Sequence, residues 1–279
     1  MKPVQVLYHE NCDDGFGAAY AAWTKFGENA IYVPVQYGKP APEIIQGSDL
    51  YILDFSFDVE TLEKMRLISD SILVLDHHES AMKRLADLPY AVFDMERSGA
   101  MMAWQHFHPG APVPRLIEGV QDRDLYTFKI PTTEALSSGL RSVPRDFPTW
   151  DKLANDEQEI QSLIDRSQPL VDANHAYIDT MAKKVSIKDI VLVGKTFKLG
   201  IINSTHLISD LGNLICKQNP ECFAALIFTI TADGVLCSLR SIGEKNTTEI
   251  SCLFGGGGHK NASGFKITDF ETFFKTFMS

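Results

Sequence analysis

The chain has 279 residues, of which 44% are apolar, 22% charged and 10% aromatic. That composition excludes a disordered tail, a collagen-like repeat and a disulfide-stapled mini-protein. Its 26 basic and 36 acidic residues leave a net charge of −10, with −11 on residues 1–185 and +1 on residues 186–279. Proteins that grip long nucleic acid usually carry the opposite sign, because phosphate neutralisation drives that binding. The excess fits either an acidic solvated surface or carboxylates gathered around divalent cations, and a pair of such ions would offset only part of it.

At roughly 150 residues per domain the length suggests about two domains. The first part alternates β-rich runs with helical stretches. Strands are predicted over residues 4–8, 31–35, 50–53, 72–75 and 90–93, and helices over 16–26, 59–68, 98–107 and 114–120. This alternation predicts an α/β fold with a parallel sheet covered by helices on both faces. Residues 130–150 are proline-bearing and turn-rich, and 151–184 read as a connecting helix or pair. Strands are then predicted over 190–193, 197–202, 222–231 and 235–240, with a helix over 206–217. Asp233-Gly234, between two of those runs, is a hairpin signal. The expected organisation is a parallel-sheet domain over 1–150, a helical linker over 151–186 and a smaller α/β domain over 187–279.

The five cysteines, Cys12, Cys216, Cys222, Cys237 and Cys252, are odd in number and form no CxxC pair. Reduced thiols are the simpler reading. Glu10, Asp13 and Asp14 interrupt the place where a signal peptide would be apolar, and the longest strongly apolar run, near 222–230, is about half a membrane span. A cytoplasmic protein with no membrane partner is expected.

The chemistry gathers after the early strands. His9-Glu10-Asn11-Cys12-Asp13-Asp14-Gly15 follows the first, Asp54 the third, and Asp76-His77-His78 the fourth, while Asp122 and Asp124 follow a helix. A single Asp after a strand is ordinarily a cap or turn former. Three clusters at three ends of one parallel sheet can converge, since those ends share an edge where ligands sit. Carboxylates with imidazoles suit Mn²⁺ or a similar first-row ion, and several such groups could hold two ions that attack a phosphate ester. Asp54, flanked by Tyr-Ile-Leu and Phe-Ser-Phe, suits a bridging position, because a carboxylate buried there needs compensation.

Asp76-His77-His78 after an apolar strand resembles the defining motif of the DHH phosphoesterase superfamily. His9 to Gly15, Asp54 and the Asp122/Asp124 segment stand in the right order to be its other metal motifs. Gly255 through Gly264, with His259 inside it, resembles the glycine-rich signature of the associated DHHA1 domain, as does Ser238-Leu239-Arg240-Ser241. The likeness covers nearly the whole chain. It implies a two-domain phosphoesterase that uses Mn²⁺, with Mg²⁺ or Co²⁺ as alternatives, in one or two ions. His9, Asp14 and His77 would bind metal, Asp54 would bridge, and Asp76 would be a ligand or support the site. His78 would face the substrate phosphate. Arg240, Ser241, His259 and Gly256, Gly257 and Gly258 would hold substrate from the second domain, across an interdomain cleft. Glycine lets backbone N–H groups approach an anion and arginine offers a bidentate fork.

The first motif departs from the family pattern of His, three residues, Asp, one residue, Asp. Asp13 and Asp14 are adjacent, and aligning Asp14-Gly15 places Cys12 where the first Asp should stand. Asp13 and Cys12 therefore stay open as metal contacts, as does the choice between Asp122 and Asp124. A short oligonucleotide or dinucleotide is the preferred substrate, since it needs no long basic groove, and long duplex nucleic acid is not expected. An exopolyphosphatase, a RecJ-like single-strand exonuclease and a catalytically impaired nucleotide sensor are the alternatives. Oligomeric state stays open, with a homodimer among the options.

Overall fold

The computed structural model describes residues 2–278. The chain divides after Val171 into two compact units. In the first, strands β1 (Val4–His9), β2 (Ala30–Val35), β3 (Asp49–Leu53), β4 (Ser71–Asp76) and β5 (Ala91–Phe93) form one five-stranded sheet in the order β2-β1-β3-β4-β5. Every pairing in it is parallel.

Successive residues of a strand face opposite sides, and the apolar runs are long enough to bury both. Val6, Leu53 and Leu75 pack with Ala18, Ala21 and Ala22 of α1 (Asp13–Phe26) and with Met102 and Ala103 of a later helix. Leu7, Ile52 and Val74 point the other way, onto Leu62 and Met65 of α2 (Val59–Ile68) and Ala81 and Leu85 of α3 (Glu79–Leu85). The later helix is α4 (Gly99–Phe107), and α5 (Arg115–Asp124) follows it. The expected sheet with two covered faces is therefore present. The strand order reverses between β1 and β3, the point in such sheets where ligands collect beyond the C-terminal ends.

Residues 130–150 differ from the turn-rich expectation. They hold α6 (Thr133–Leu140) and the start of α7 (Phe147–Asn155). Pro148 lies in the first turn of α7, where a missing N–H is harmless, and Asp146 caps that helix by accepting from the Thr149 amide at 2.8 Å. Trp150, Leu136 and Leu140 join Phe16, Tyr20 and Leu116 in a core shared by α1, α5, α6 and α7. The 26-residue α8 (Glu157–Ala182) runs through the division between the units.

The second unit carries a six-stranded mixed sheet. Its strands are β6 (Ser186–Leu192), β7 (Lys195–Asn203), β8 (Ala224–Thr231), β9 (Gly234–Arg240), β10 (Gly257–His259) and β11 (Ala262–Ile267), ordered β10-β11-β9-β8-β7-β6. β7 and β8 pair in parallel, and the other neighbours are antiparallel. The helix α9 (Ile208–Gln218) packs Leu211 and Ile215 against Ile202, Ala225 and Ile227 on one face. On the other, Leu199, Leu226, Leu239 and Phe265 meet Phe273 of α11 (Phe270–Phe273) and Phe277. The short α10 (Thr248–Ser251) precedes the glycine run. The Asp233-Gly234 hairpin joins β8 to β9, closing on the pair Thr231 and Gly234.

Candidate metal centre

The first unit brings its acidic and histidine clusters to the C-terminal edge of the sheet. His9 is the last residue of β1, and the chain then turns through Asn11, in left-handed backbone at φ 59°, into α1. Asp54 follows β3, also left-handed at φ 53°, with its amide bonded to the Leu75 carbonyl at 2.9 Å. A residue with a Cβ sits there at a cost of about 1–2 kcal/mol, so the surroundings hold Asp54 in place. β4 ends on Asp76 and delivers His77 and His78 directly after it.

His77 is the hub. Its Nε2 lies 3.2 Å from Asp54 Oδ1, 3.4 Å from Asp124 Oδ2 and 3.5 Å from Asp14 Oδ2. His9 Nδ1 lies 3.4 Å from Asp54 Oδ2. Among the described residues three donor groups result: His9, Cys12 and Asp54; Asp54, His77 and His78; and Asp14, His77 and Asp124, each with ligand atoms within 4.8 Å of one another. Asp54 and His77 each belong to two of them.

The scaffold aims these groups. Asp14, in the first turn of α1, accepts from the Gly99 amide at 2.7 Å and the Ala100 amide at 3.0 Å. Those amides open α4, so the helix start favours the Asp14 charge. A Cβ on Gly99 would come within 2.5 Å of Asp54 Cβ, which makes the glycine a condition of that approach. Asp76, fully buried, spends its oxygens locally. Oδ1 accepts from the His77 and His78 amides at 2.7 and 3.2 Å and lies 2.6 Å from His78 Nδ1, while Oδ2 accepts from Ser56 Oγ at 2.5 Å. It thereby orients His78 and stands outside the three donor groups.

Asp13 and Asp122 also stand elsewhere. Asp13 pairs with Arg145 Nη2 at 2.6 Å. Asp122 accepts from Thr127 Oγ1, Thr133 Oγ1 and the Lys129 and Ile130 amides, which fastens the loop after α5. Asp124, two residues on, is the member of that pair beside His77.

Charge is concentrated here. Burial, reinforced by the neighbouring Asp54 and Asp124 charges, pushes the Asp14 carboxyl well above its usual range. Burial works against the Asp54 charge as well, yet hydrogen bonding to His77 and His9 holds its carboxyl below that range. Burial opposes a charged His77 ring, but the Asp54 hydrogen bond and the surrounding carboxylates raise its pKa to about 10. His78 is raised too, with the Asp76 contact overcoming burial. Two buried atoms in this cluster, His9 Nδ1 and Asp54 Oδ1, make only these ion-pair contacts and, among the described residues, no well-aligned hydrogen bond. Carboxylate and imidazole donors with unsatisfied buried atoms fit a first-row divalent cation.

Comparison with known proteins places this arrangement. No family model matches the chain. The uncharacterized protein R106 of Acanthamoeba polyphaga mimivirus is 30% identical over 94% of this chain and 67% of its own length. The oligoribonuclease NrnB of Bacillus subtilis is 23% identical over 94% of this chain and 73% of its own length. RecJ of Thermus thermophilus, solved in complex with Mn²⁺, shares the fold with a TM-score of 0.56 at 16% identity, over 98% of this chain and 50% of that one. The chain belongs to the DHH/DHHA1 phosphoesterase superfamily.

The DHHA1 unit gathers its own predicted residues. Arg240 ends β9 opposite Ala262, Ser241 donates its amide to the Asn261 carbonyl at 3.0 Å, and His259 pairs with Ala262 across the β10–β11 turn. The guanidinium of Arg240 contacts Ser209 Oγ through Nε at 3.2 Å and Nη2 at 3.1 Å. Part of the glycine run lies in regular strand. Gly257 and Gly258 form the edge strand β10 against Gly264 and Ser263. Gly258 takes φ 136° there, and a Cβ on it would lie 2.6 Å from the Ala262 carbonyl oxygen.

Sequence reasoning missed several neighbours in the DHH unit. Ser98 caps α4, and a Ser-Gly pair opening a helix is a signal for a backbone anion site. Tyr37, just past β2, stacks on Phe55 with ring centroids 4.2 Å apart and meets His9 and His78 at 5.7 and 6.2 Å. A cavity of about 140 Å³ beside Asp14 and Asp124 is bordered by Arg123 and Arg141. Neither Tyr37 nor Arg141 carries a local sequence pattern that marks it.

Proposed function

We propose that this DHH-superfamily protein is a metal-dependent phosphodiesterase that hydrolyses short oligonucleotides or dinucleotides. The observation that carries the reading is the convergence of His9, Asp14, Asp54, His77 and Asp124 at the sheet's switch point, with Asp54 common to two donor groups. These residues would hold one or two divalent cations, Mn²⁺ foremost, with Asp54 as the bridge. When bound, such ions polarise a phosphoryl oxygen and make water acidic enough to react near neutral pH.

The other roles belong to the chain. His78, held through Nδ1 by Asp76 and biased toward its protonated form, presents Nε2–H to the substrate phosphate. A positioned donor of this kind stabilises charge that develops in the transition state. Arg123 and Arg141 give the adjoining cavity a positive border suited to a phosphate. The outer ring face of Tyr37, backed by Phe55, offers a stacking surface for one base, and an aromatic shelf serves a short substrate without a long basic groove. Arg240, Ser241, His259 and the Gly256–Gly258 backbone are the proposed phosphate contacts of the second unit. The relative named as an oligoribonuclease supports the substrate class.

A substrate panel with Mn²⁺, Mg²⁺ and Co²⁺ tests this. Dinucleotides and short RNA should be cleaved, polyphosphate and long duplex DNA should not, and Asp54→Ala should lose at least about a thousandfold in kcat. Unchanged dinucleotide cleavage by Asp54→Ala, or no cleavage of any oligonucleotide by the native chain, overturns it.

A further inference from the structure

Cys12 occupies a position that the phosphodiesterase reading leaves without a role. It precedes α1 as the capping residue, yet its side chain makes no capping hydrogen bond. Its sulfur belongs to the donor group with His9 and Asp54, within 4.8 Å of a ligand atom from each. Asp54 is 1% exposed, and its Oδ1, like His9 Nδ1, has an ion-pair contact but, among the described residues, no well-aligned hydrogen bond. A nitrogen, an oxygen and a sulfur thus converge around unsatisfied buried atoms. The remaining cysteines, Cys216, Cys222, Cys237 and Cys252, all lie in the second unit, and none joins a donor group among the described residues.

We propose that Cys12 is a thiolate ligand of the centre and that its sulfur biases the His9–Cys12–Asp54 position toward a borderline-soft cation such as Co²⁺, Fe²⁺ or Zn²⁺, at the expense of Mg²⁺. The proposal rests on the cation site assumed in the phosphodiesterase reading. Thiolate favours softer ions, whereas carboxylate and carbonyl oxygens suit Mg²⁺. The thiolate is the ligand form, so the Cys12 S–H proton passes to the buffer as the sulfur–metal bond forms. Sulfur enters only one of the three donor groups, so a second cation held by Asp14, His77 and Asp124 would not feel it.

The test is a titration of the metal-free full chain with Co²⁺ alone, under anaerobic conditions, followed by absorption. Visible bands report cobalt uptake, and a near-ultraviolet charge-transfer band reports a cobalt–thiolate bond. The native chain should develop that band to the intensity of one thiolate. Cys12→Ser and Cys12→Ala should lose it, whereas Cys252→Ser should keep it. In calorimetry, Cys12→Asp should lower the preference for Co²⁺ over Mg²⁺ by at least about tenfold. Cobalt uptake by the native chain without the near-ultraviolet band, a band that survives Cys12→Ala, or no cobalt uptake overturns the proposal. The native titration decides even if a variant fails to fold. The two readings separate cleanly: a thiolate band with no dinucleotide hydrolysis keeps Cys12 as a ligand and removes the phosphodiesterase, and hydrolysis without the band does the reverse.

Discussion

Loading the centre should expel protons. In the free protein His77 Nε2 stands 3.2–3.5 Å from oxygens of Asp54, Asp124 and Asp14. Burial works against its charge, but these contacts lift its pKa from 6.5 to about 10. A ring nitrogen must shed its proton before it can bind a cation. Because the folded pKa is raised, the proton stays on until the pH passes about 10, and each pH unit below that weakens the ion by about 1.4 kcal/mol, or tenfold. An imidazole near 6.5 would have finished titrating by about pH 7.5 and would give almost no slope above it. Mn²⁺ affinity should therefore rise at least about tenfold between pH 7.5 and 8.5, with at least about one proton released per ion. Anaerobic calorimetry of the full chain in two buffers of unlike ionisation enthalpy reads both quantities. A flat affinity over that interval, with heats that do not depend on buffer, would refute the argument. The same shift makes the His77 contribution to metal-free stability complete below about pH 6.5 and gone above about pH 10.

Other consequences concern the supporting residues. Asp122→Ala leaves two amides and two hydroxyls without their acceptor. It should lose about 2–4 kcal/mol of stability while keeping the native metal content, whereas Asp124→Ala should melt normally and lose cation affinity; thermal melts and elemental analysis compare them, and equal metal loss in both would contradict the assignment. Gly99→Ala places a methyl 2.5 Å from Asp54 Cβ. It should cost about 1–3 kcal/mol and weaken Mn²⁺ binding by calorimetry, so native affinity in this variant would count against the close approach. Tyr37→Ala should raise the dinucleotide KM by about tenfold, since stacking one base contributes about 1–3 kcal/mol, with kcat little changed and Tyr37→Phe near native. An unchanged KM would remove the stacking shelf.

Much of the frame was legible in the residues. The strands of the parallel sheet announce themselves as apolar runs because both their faces are buried, as the opposite contacts of Leu53 and Ile52 show. Helices α6 and α7 were hidden for a physical reason. Ser137, Ser138 and Gly139 are buried although polar or small, which erases the apolar stripe, and proline stands within the first turn of α7. At the centre, order along the chain named the groups and could not choose between neighbours. Asp13 and Asp14 part because one reaches Arg145 and the other the start of α4, and both partners lie far along the sequence. Asp122 and Asp124 part because residues two apart on a helix do not share a face. Only Asp124 is turned to His77, while the loop after α5 closes on Asp122.

The two amides that grip Asp14 also bear on how the protein lives with its ion. They hold that carboxylate without any help from a metal, and the Leu75 carbonyl likewise fixes the backbone of Asp54. A chelator should therefore strip the cation and leave the sheet, its helices and the cradle of side chains standing, unlike small zinc modules whose folding is inseparable from their ion. The ion is then an exchangeable part, taken up by a chain that has already folded.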